Sequence, residues 1–149
     1  SPERRPDLPD IANFCGDVKL VVCQPNAVVP VAADAGPLVK RMSILTRRPD
    51  ITAERFRDEW FGLHAEAVRK FPNLMGYTQN LVVDREGADL TSPASYGQVP
   101  IDGVVELWFR SVNDVRTAFG SPAAEVSQRH ALDFIGTITT YLVEAHVIV

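Results

Sequence analysis

Three features of the sequence predict an α+β domain with an antiparallel sheet. Four runs have strand length and strand patterning, two stretches carry helix start signals, and the two kinds interleave in a set order. From residue 38 to 149 the order is β-α-β-β-α-β. That is the ferredoxin-like split βαβ pattern, with four antiparallel strands and both helical layers on one sheet face.

Residues 38–47 alternate in part and stop before Pro49, which gives the first strand. Thr52 is a good N-cap, Glu54 and Asp58 lie in the first turns after it, and Lys70 closes the segment before Pro72, so residues 53–70 read as a helix. Residues 75–83 form the second strand. Residues 84–102 contain Gly87, Ser92, Pro93, Ser95, Gly97 and Pro100 and read as a long loop, of a length found in lids or disordered segments. The third strand is expected at 104–110, a short helix at 112–119, a further helical stretch at 123–135 after Pro122, and the fourth strand at 139–149.

Residues 1–37 stand apart as an N-terminal extension: an arm, a linker or an artefactual addition. They hold both cysteines and six of the 11 prolines, so strands here, at 19–23 and 27–32, are expected to be short and peripheral. Cys15 and Cys23 are close enough in sequence to pair, but two cysteines do not make a secreted disulfide framework.

The chain has 149 residues, 46% hydrophobic and 23% charged, with a formal charge of -4. One domain is expected, and no positive field would attract nucleic acid. The longest apolar stretches, in 19–23 and 142–149, fall short of the ~20 residues a membrane span needs, and the N-terminus has no signal-peptide pattern. A cytoplasmic protein with neither membrane nor nucleic-acid partner is the expectation.

Strand side chains alternate between faces, which sorts the third strand into Val105, Leu107 and Phe109 against Val104, Glu106, Trp108 and Arg110. The apolar set suits packing under the helices. The last strand sorts into Tyr141, Val143 and Ala145 against Leu142, Glu144 and His146, and the second places Tyr77 and Gln79 opposite Thr78 and Asn80. A face of Trp, Tyr, Glu, His and aliphatics fits a pocket with a few placed polar groups, or a wet dimer interface. Pairing two such sheets would enclose a barrel, so a homodimer is expected. On a regular helix Phe56, Trp60, Leu63 and Ala67 form the packing stripe, with His64 on its flank in a row with Arg57, Phe61 and Val68.

The runs Phe56-Arg-Asp-Glu-Trp60-Phe-Gly-Leu-His64-Ala65, Pro72-Asn-Leu74-Met-Gly-Tyr77-Thr-Gln79-Asn80 and Asp102-Gly103-Val-Val-Glu106-Leu-Trp108-Phe109 resemble the EthD domain family. So do Ser121-Pro122 followed by Phe134, and the closing Glu144. The resemblance covers residues 38–149. It implies a dimeric α+β barrel of ferredoxin-like subunits, and cofactor-free isomerases, cyclases, dehydratases or decarboxylases acting on lactones and aromatic polyketide-type compounds. One relative, methylmuconolactone methylisomerase, uses histidine and cysteine as acid/base groups. This chain keeps the helix-motif histidine as His64, but has no cysteine after Cys23 and carries Leu107 in the strand where a thiol would serve.

His64 is therefore the candidate general acid/base, since an imidazole exchanges protons near neutral pH; the alternative is a structural helix-flank histidine. Glu106 is a second catalytic candidate if an apolar barrel raises its pKa, or else an ion pair with Arg110 or Arg41. Tyr77 would donate a hydrogen bond to a carbonyl and Trp108 would wall a flat pocket, unless both are simply core. Gln79, Arg57, Phe61, Glu144 and His146 complete the candidate substrate-binding set. Glu144 and His146 form either an oriented acid/base pair or a rim or dimer contact. Any substrate carboxylate needs a local cation such as Arg41, Arg47 or Arg57.

Asp102-Gly103 reads as turn chemistry and His130 as solvated. His64, His130 and His146 lack metal-ligand spacing, so no metal is expected; no phosphate loop, nucleophile elbow or dinucleotide fingerprint is present, and no cofactor is expected. The expected function is a cofactor-independent lyase or isomerase handling a small oxygenated hydrophobic compound by proton transfer. Its rivals are a cofactor-free or haem-type oxygenase and a non-catalytic small-molecule binder.

Overall fold

The computed structural model describes residues 15–87, 89 and 92–144. Along the chain lie β1 (Leu20–Val29), β2 (Val39–Arg47), α1 (Ala53–Glu59), a π-helical turn (Trp60–His64) and α2 (Ala65–Arg69). Then come β3 (Gly76–Glu86), β4 (Gly103–Phe109), α3 (Val112–Phe119), α4 (Pro122–Ala131) and β5 (Ile135–Val143). The strands form one antiparallel sheet in the order β1-β3-β4-β2-β5. Strands β3-β4-β2-β5 are the ferredoxin-like sheet.

The sheet thus has five strands where four were expected. The fifth, β1, comes from the N-terminal segment and pairs with β3 from Leu20↔Glu86 to Val29↔Tyr77. It joins the two short runs expected there into one ten-residue strand through Pro25, with register shifts after Val22 and Ala27. An edge position tolerates the missing N–H of Pro25. Cys15 and Cys23 are both free thiols.

Each long helical segment begins at a side-chain cap. Thr52 Oγ1 accepts from the Arg55 N–H at 3.1 Å, Ser111 Oγ from Asp114 at 3.1 Å and Ser121 Oγ from Ala124 at 3.3 Å. Pro122 occupies the first turn of α4. That helix ends at Ala131 rather than near residue 135, and β5 begins earlier than expected, because Arg48 N–H donates to Phe134 O and Ile135 is already paired with Arg47.

The core lies between the helices and one sheet face, where Phe56, Trp60, Tyr77, Leu107, Phe109 and Phe134 are buried. The Phe56 ring lies 5.4 Å from Trp60 and 5.5 Å from Phe134, centroid to centroid. Trp60 lies against the β4 backbone at Gly103, where a Cβ would come within 2.4 Å of the indole. Asp102-Gly103 is accordingly no exposed turn. Asp102 is buried, paired with the Arg47 guanidinium and accepting from the Arg47 N–H and the Tyr96 hydroxyl, and Gly103 opens β4.

The expected long loop is shortened by the continuation of β3 to Glu86, and its part from Tyr96 to Ile101 is tied down. Arg85 donates to Val99 O and Ile101 O, and the guanidinium groups of Arg47 and Arg85 both lie over the Tyr96 ring. Among the described residues no helix is long and apolar enough to cross a membrane.

Candidate active site

Residues directly opposite one another in an antiparallel sheet share a face. One rung runs Val29, Tyr77, Leu107, Arg41, Leu142, and a second runs Asn26, Gln79, Val105, Ser43, Thr140. Both lie on the helix side. The rung between them, Thr78, Glu106, Met42, Tyr141, belongs to the open face.

A cavity of about 390 Å³ sits between the helices and the first of these faces. Its floor includes Tyr77, Leu107 and Arg41, its roof Trp60, His64 and Val68, and the exposed side chains of Leu132 and Ile138 stand at its mouth. The size and mainly apolar lining are those of a small-molecule site.

The π-helical turn puts His64 there. The turn is π-wide and kinked at Gly62, where two helical segments meet, so the second half of the helix is rotated relative to the first. The buried series runs Phe56, Trp60, Ala65, Ala67, Val68, and Leu63, expected in the packing stripe, is 72% exposed. The same rotation breaks the expected row. His64 and Val68 line the cavity, whereas Arg57 is an exposed residue 3.9 Å from Asp58 and stacked on Phe61, and neither Arg57 nor Phe61 lines it. The sequence signal for the irregularity is Gly62 in mid-helix, whose backbone leaves helical geometry at φ -90, ψ -110.

His64 packs edge-on against Phe134 with centroids 5.1 Å apart, and its buried Nδ1 has no hydrogen-bond partner among the described residues. Burial, reinforced by neighbouring His130, pulls the imidazole down to about 4. At pH 7 it is neutral and a proton acceptor.

His130 is not the solvated residue expected. Its ring centroid is 5.6 Å from that of His64, its Nε2 lies 2.8 Å from Glu59 Oε2, and its Nδ1 is also buried without a partner among the described residues. The polar sequence around it hid this, because its partners Glu59 and His64 belong to a different helical segment, far away along the chain.

Tyr77 and Gln79 are fully buried. Gln79 Nε2 donates to Trp60 O at 2.6 Å and to the Tyr77 hydroxyl at 2.9 Å, while its Oε1 accepts from Asn26 Nδ2 at 3.0 Å. Gln79 therefore positions other groups and is fully satisfied itself. Burial pushes the Tyr77 phenol up, against a smaller opposing effect of Gln79. The phenol stays protonated, and its own O–H hydrogen is uncommitted among the described residues.

Glu106 and Trp108, expected to face the same site, lie on the opposite side of the sheet. They alternate with the buried Val105, Leu107 and Phe109, so the strand that floors the cavity turns them away from it. Glu106 pairs with Lys40 at 2.8 Å rather than with Arg110 or Arg41, and also accepts from Asn80 Nδ2 at 2.9 Å. Trp108 lies under Lys40 Nζ and over Gly76. The β5 faces are also exchanged relative to expectation. Register pairs Leu142 with Arg41 on the helix side and Tyr141 with Met42 on the open side. Glu144 is exposed beyond the end of β5, and His146 lies outside the described residues.

Sheet order and helix placement define a ferredoxin-like α+β fold, with a cavity under the helices. The EthD domain profile matches residues 48–138, and the chain belongs to that family. Similar solved structures include an EthD family protein from Bacillus halodurans, at 19% identity and TM-score 0.57 over 73% of this chain and 99% of that one. A dimeric ferredoxin-like protein of unknown function from Bacteroides fragilis aligns at 13% identity and TM-score 0.53, over 72% and 96%. SnoaB, a cofactor-independent oxygenase from Streptomyces nogalater, aligns at 12% identity and TM-score 0.51, over 76% and 97%. No functionally curated protein matches the chain significantly.

Proposed function

We propose that this protein is a cofactor-independent enzyme of the lyase or isomerase type (cyclase, dehydratase or decarboxylase) that moves a proton on a small, flat, oxygenated hydrophobic compound. The observation that carries this reading is the convergence of a neutral His64 and a protonated Tyr77 on one apolar cavity. The Tyr77 O–H donates to a substrate carbonyl or lactone oxygen, which acidifies the adjacent C–H. His64 takes that proton, and the electron pair moves into the C–C–O system as an enolate held by Tyr77. Returning the proton at another carbon isomerises the substrate; when a β-hydroxyl leaves instead, the His64 imidazolium gives that proton to the departing oxygen as the C–O bond breaks, so water is released and the substrate is dehydrated. Glu106 leaves the catalytic set, since it lies on the other face.

We further infer that the open face, with Met42, Trp108 and Tyr141, is covered by a second copy of the chain. Met42, Trp108 and Tyr141 keep part of their apolar surface uncovered there, beside the Lys40–Glu106 pair, a mixture that suits a wet interface.

Turnover of aromatic lactones and cyclic β-dicarbonyl compounds by wild type, His64→Ala and Tyr77→Phe tests the proposal. Loss of a general base costs about 10²–10⁴-fold; full activity in His64→Ala removes the mechanism. The similarity to SnoaB raises a cofactor-free oxygenase as the second reading, in which the same enolate is consumed by O₂. Stoichiometric oxygen uptake with turnover selects it. Ligand-induced stabilisation without product selects a binding protein.

A further inference from the structure

We infer that Arg41 is an anion anchor, and that the cavity takes an aromatic carboxylate: a flat one- or two-ring body under His64 with its carboxylate on the Arg41 guanidinium. This rests on the proposal that the cavity is where substrate binds, and it narrows the substrate to a class.

Arg41 shares a sheet rung with Tyr77, separated from it only by Leu107 on the intervening strand. At about 4.8 Å per strand the two backbone positions are ~10 Å apart, the span of a fused bicyclic acid. The guanidinium carbon lies over Phe119, 4.0 Å from the ring centroid, and Nη1 donates to Ser43 Oγ at 3.2 Å, which in turn bonds Thr140 Oγ1 at 2.8 Å. Stacking occupies one face and Ser43 takes one of five N–H donors. The rest of the fork is left for a ligand, and its orientation is set in advance.

The other cations on β2 show what is unusual about this one. Lys40 is paired with Glu106, Arg47 with Asp102 and, just beyond the strand, Arg48 with Asp50. Among the described residues Arg41 has no carboxylate within ion-pair distance, although it lines an apolar cavity. A guanidinium in low-dielectric surroundings without a counter-charge is costly to keep, and a planar carboxylate matches its fork bidentately. The volume agrees with this class. An apolar cavity of ~150 Å³ holds one benzene ring, so about 390 Å³ accommodates a bicyclic body with its substituent.

The test is binding of 2-naphthoate against its uncharged isostere 2-naphthamide, by calorimetry at pH 7.5, to wild type, Arg41→Gln, Arg41→Lys and His64→Ala, each checked for folding by its melting transition. The expected result is at least tenfold preference of wild type and His64→Ala for the acid, abolished in Arg41→Gln and kept in part in Arg41→Lys. Equal binding of acid and amide by wild type, binding of neither, or a preference that survives Arg41→Gln overturns the anchor. Preference lost in His64→Ala but kept in Arg41→Gln assigns the anion to the imidazole and overturns it as well. Because no arm reads turnover, the anchor can fail while His64-dependent chemistry on a neutral lactone stands, and the reverse also holds.

Discussion

Acidifying the protein from pH 7 to pH 4.5 acts directly on His64. Its imidazole titrates near 6.5 in the unfolded chain but at about 4 in the folded one, because burial penalises the cation and His130 stands beside it. Between those values the unfolded state binds a proton that the native state refuses, so stability falls as pH falls through that window and is regained as pH rises. The whole gap corresponds to about 3 kcal/mol at ~1.36 kcal/mol per pH unit, and about 2 kcal/mol of it is expressed between pH 7 and pH 4.5. Against a typical domain stability of about 5–15 kcal/mol, that is a readily measured fraction. Urea unfolding of wild type and His64→Gln at half-unit pH steps isolates the effect, since the carboxylates titrate alike in both proteins. The wild-type curve should fall more steeply than that of the variant, by about 2 kcal/mol over this range. Parallel curves would refute the buried, neutral imidazole and, with it, the base assigned to the reaction.

The pH profile of kcat/KM should be level from pH 7 to about 5 and fall toward pH 4, as His64 takes up a proton; a midpoint near 6.5 would show an ordinary exposed imidazole. Gly103→Ala drives a methyl to 2.4 Å from the Trp60 ring and should cost about 1–3 kcal/mol of stability, as overpacked cores do, read as a lower Tm. Gln79→Leu leaves the Trp60 carbonyl and the Asn26 amide without this partner, a penalty of about 1–3 kcal/mol for each buried group left unpaired. Limited proteolysis should then nick β1 earlier than in wild type. Trp108→Asp should shift the protein toward monomer in light scattering while 2-naphthoate binding is retained, because its side chain lies on the face away from the cavity.

The sequence shows its strands and helices because each has a local cause. Caps at Thr52, Ser111 and Ser121 fix helix starts, and the alternation in β4 separates Val105, Leu107 and Phe109 from Glu106 and Trp108 correctly. The sheet face that bears the cavity is not a local property. Trp108 and Glu106 have the composition of a pocket wall, yet the cavity forms on the other side, where the helices stand off from the sheet above Tyr77 and Arg41. Glu106 is satisfied by Lys40, a residue 66 positions away whose pairing depends on the β2↔β4 register. Pairing of β5 is equally invisible locally, since either alternate set could have faced the helices. Arg41, His130 and Glu59 owe their surroundings to contacts of this long-range kind.

One irregularity links several of the positions that local patterning does not explain. A regular helix through residues 53–70 would bury Leu63 and leave His64 on the flank. The π turn reverses this, and Gly62 lies within it. Its first carbonyl, that of Trp60, is taken by Gln79, whose second N–H fixes the Tyr77 hydroxyl, so the turn that delivers the base also orients the donor. Gly103 lets the Trp60 indole lie on β4, which holds the turn against the sheet. Gly62, Gln79 and Gly103 are far apart in sequence and would each read alone as a loop-like glycine or an odd polar strand residue. Taken together they support one feature, the displaced turn that carries His64 into the cavity.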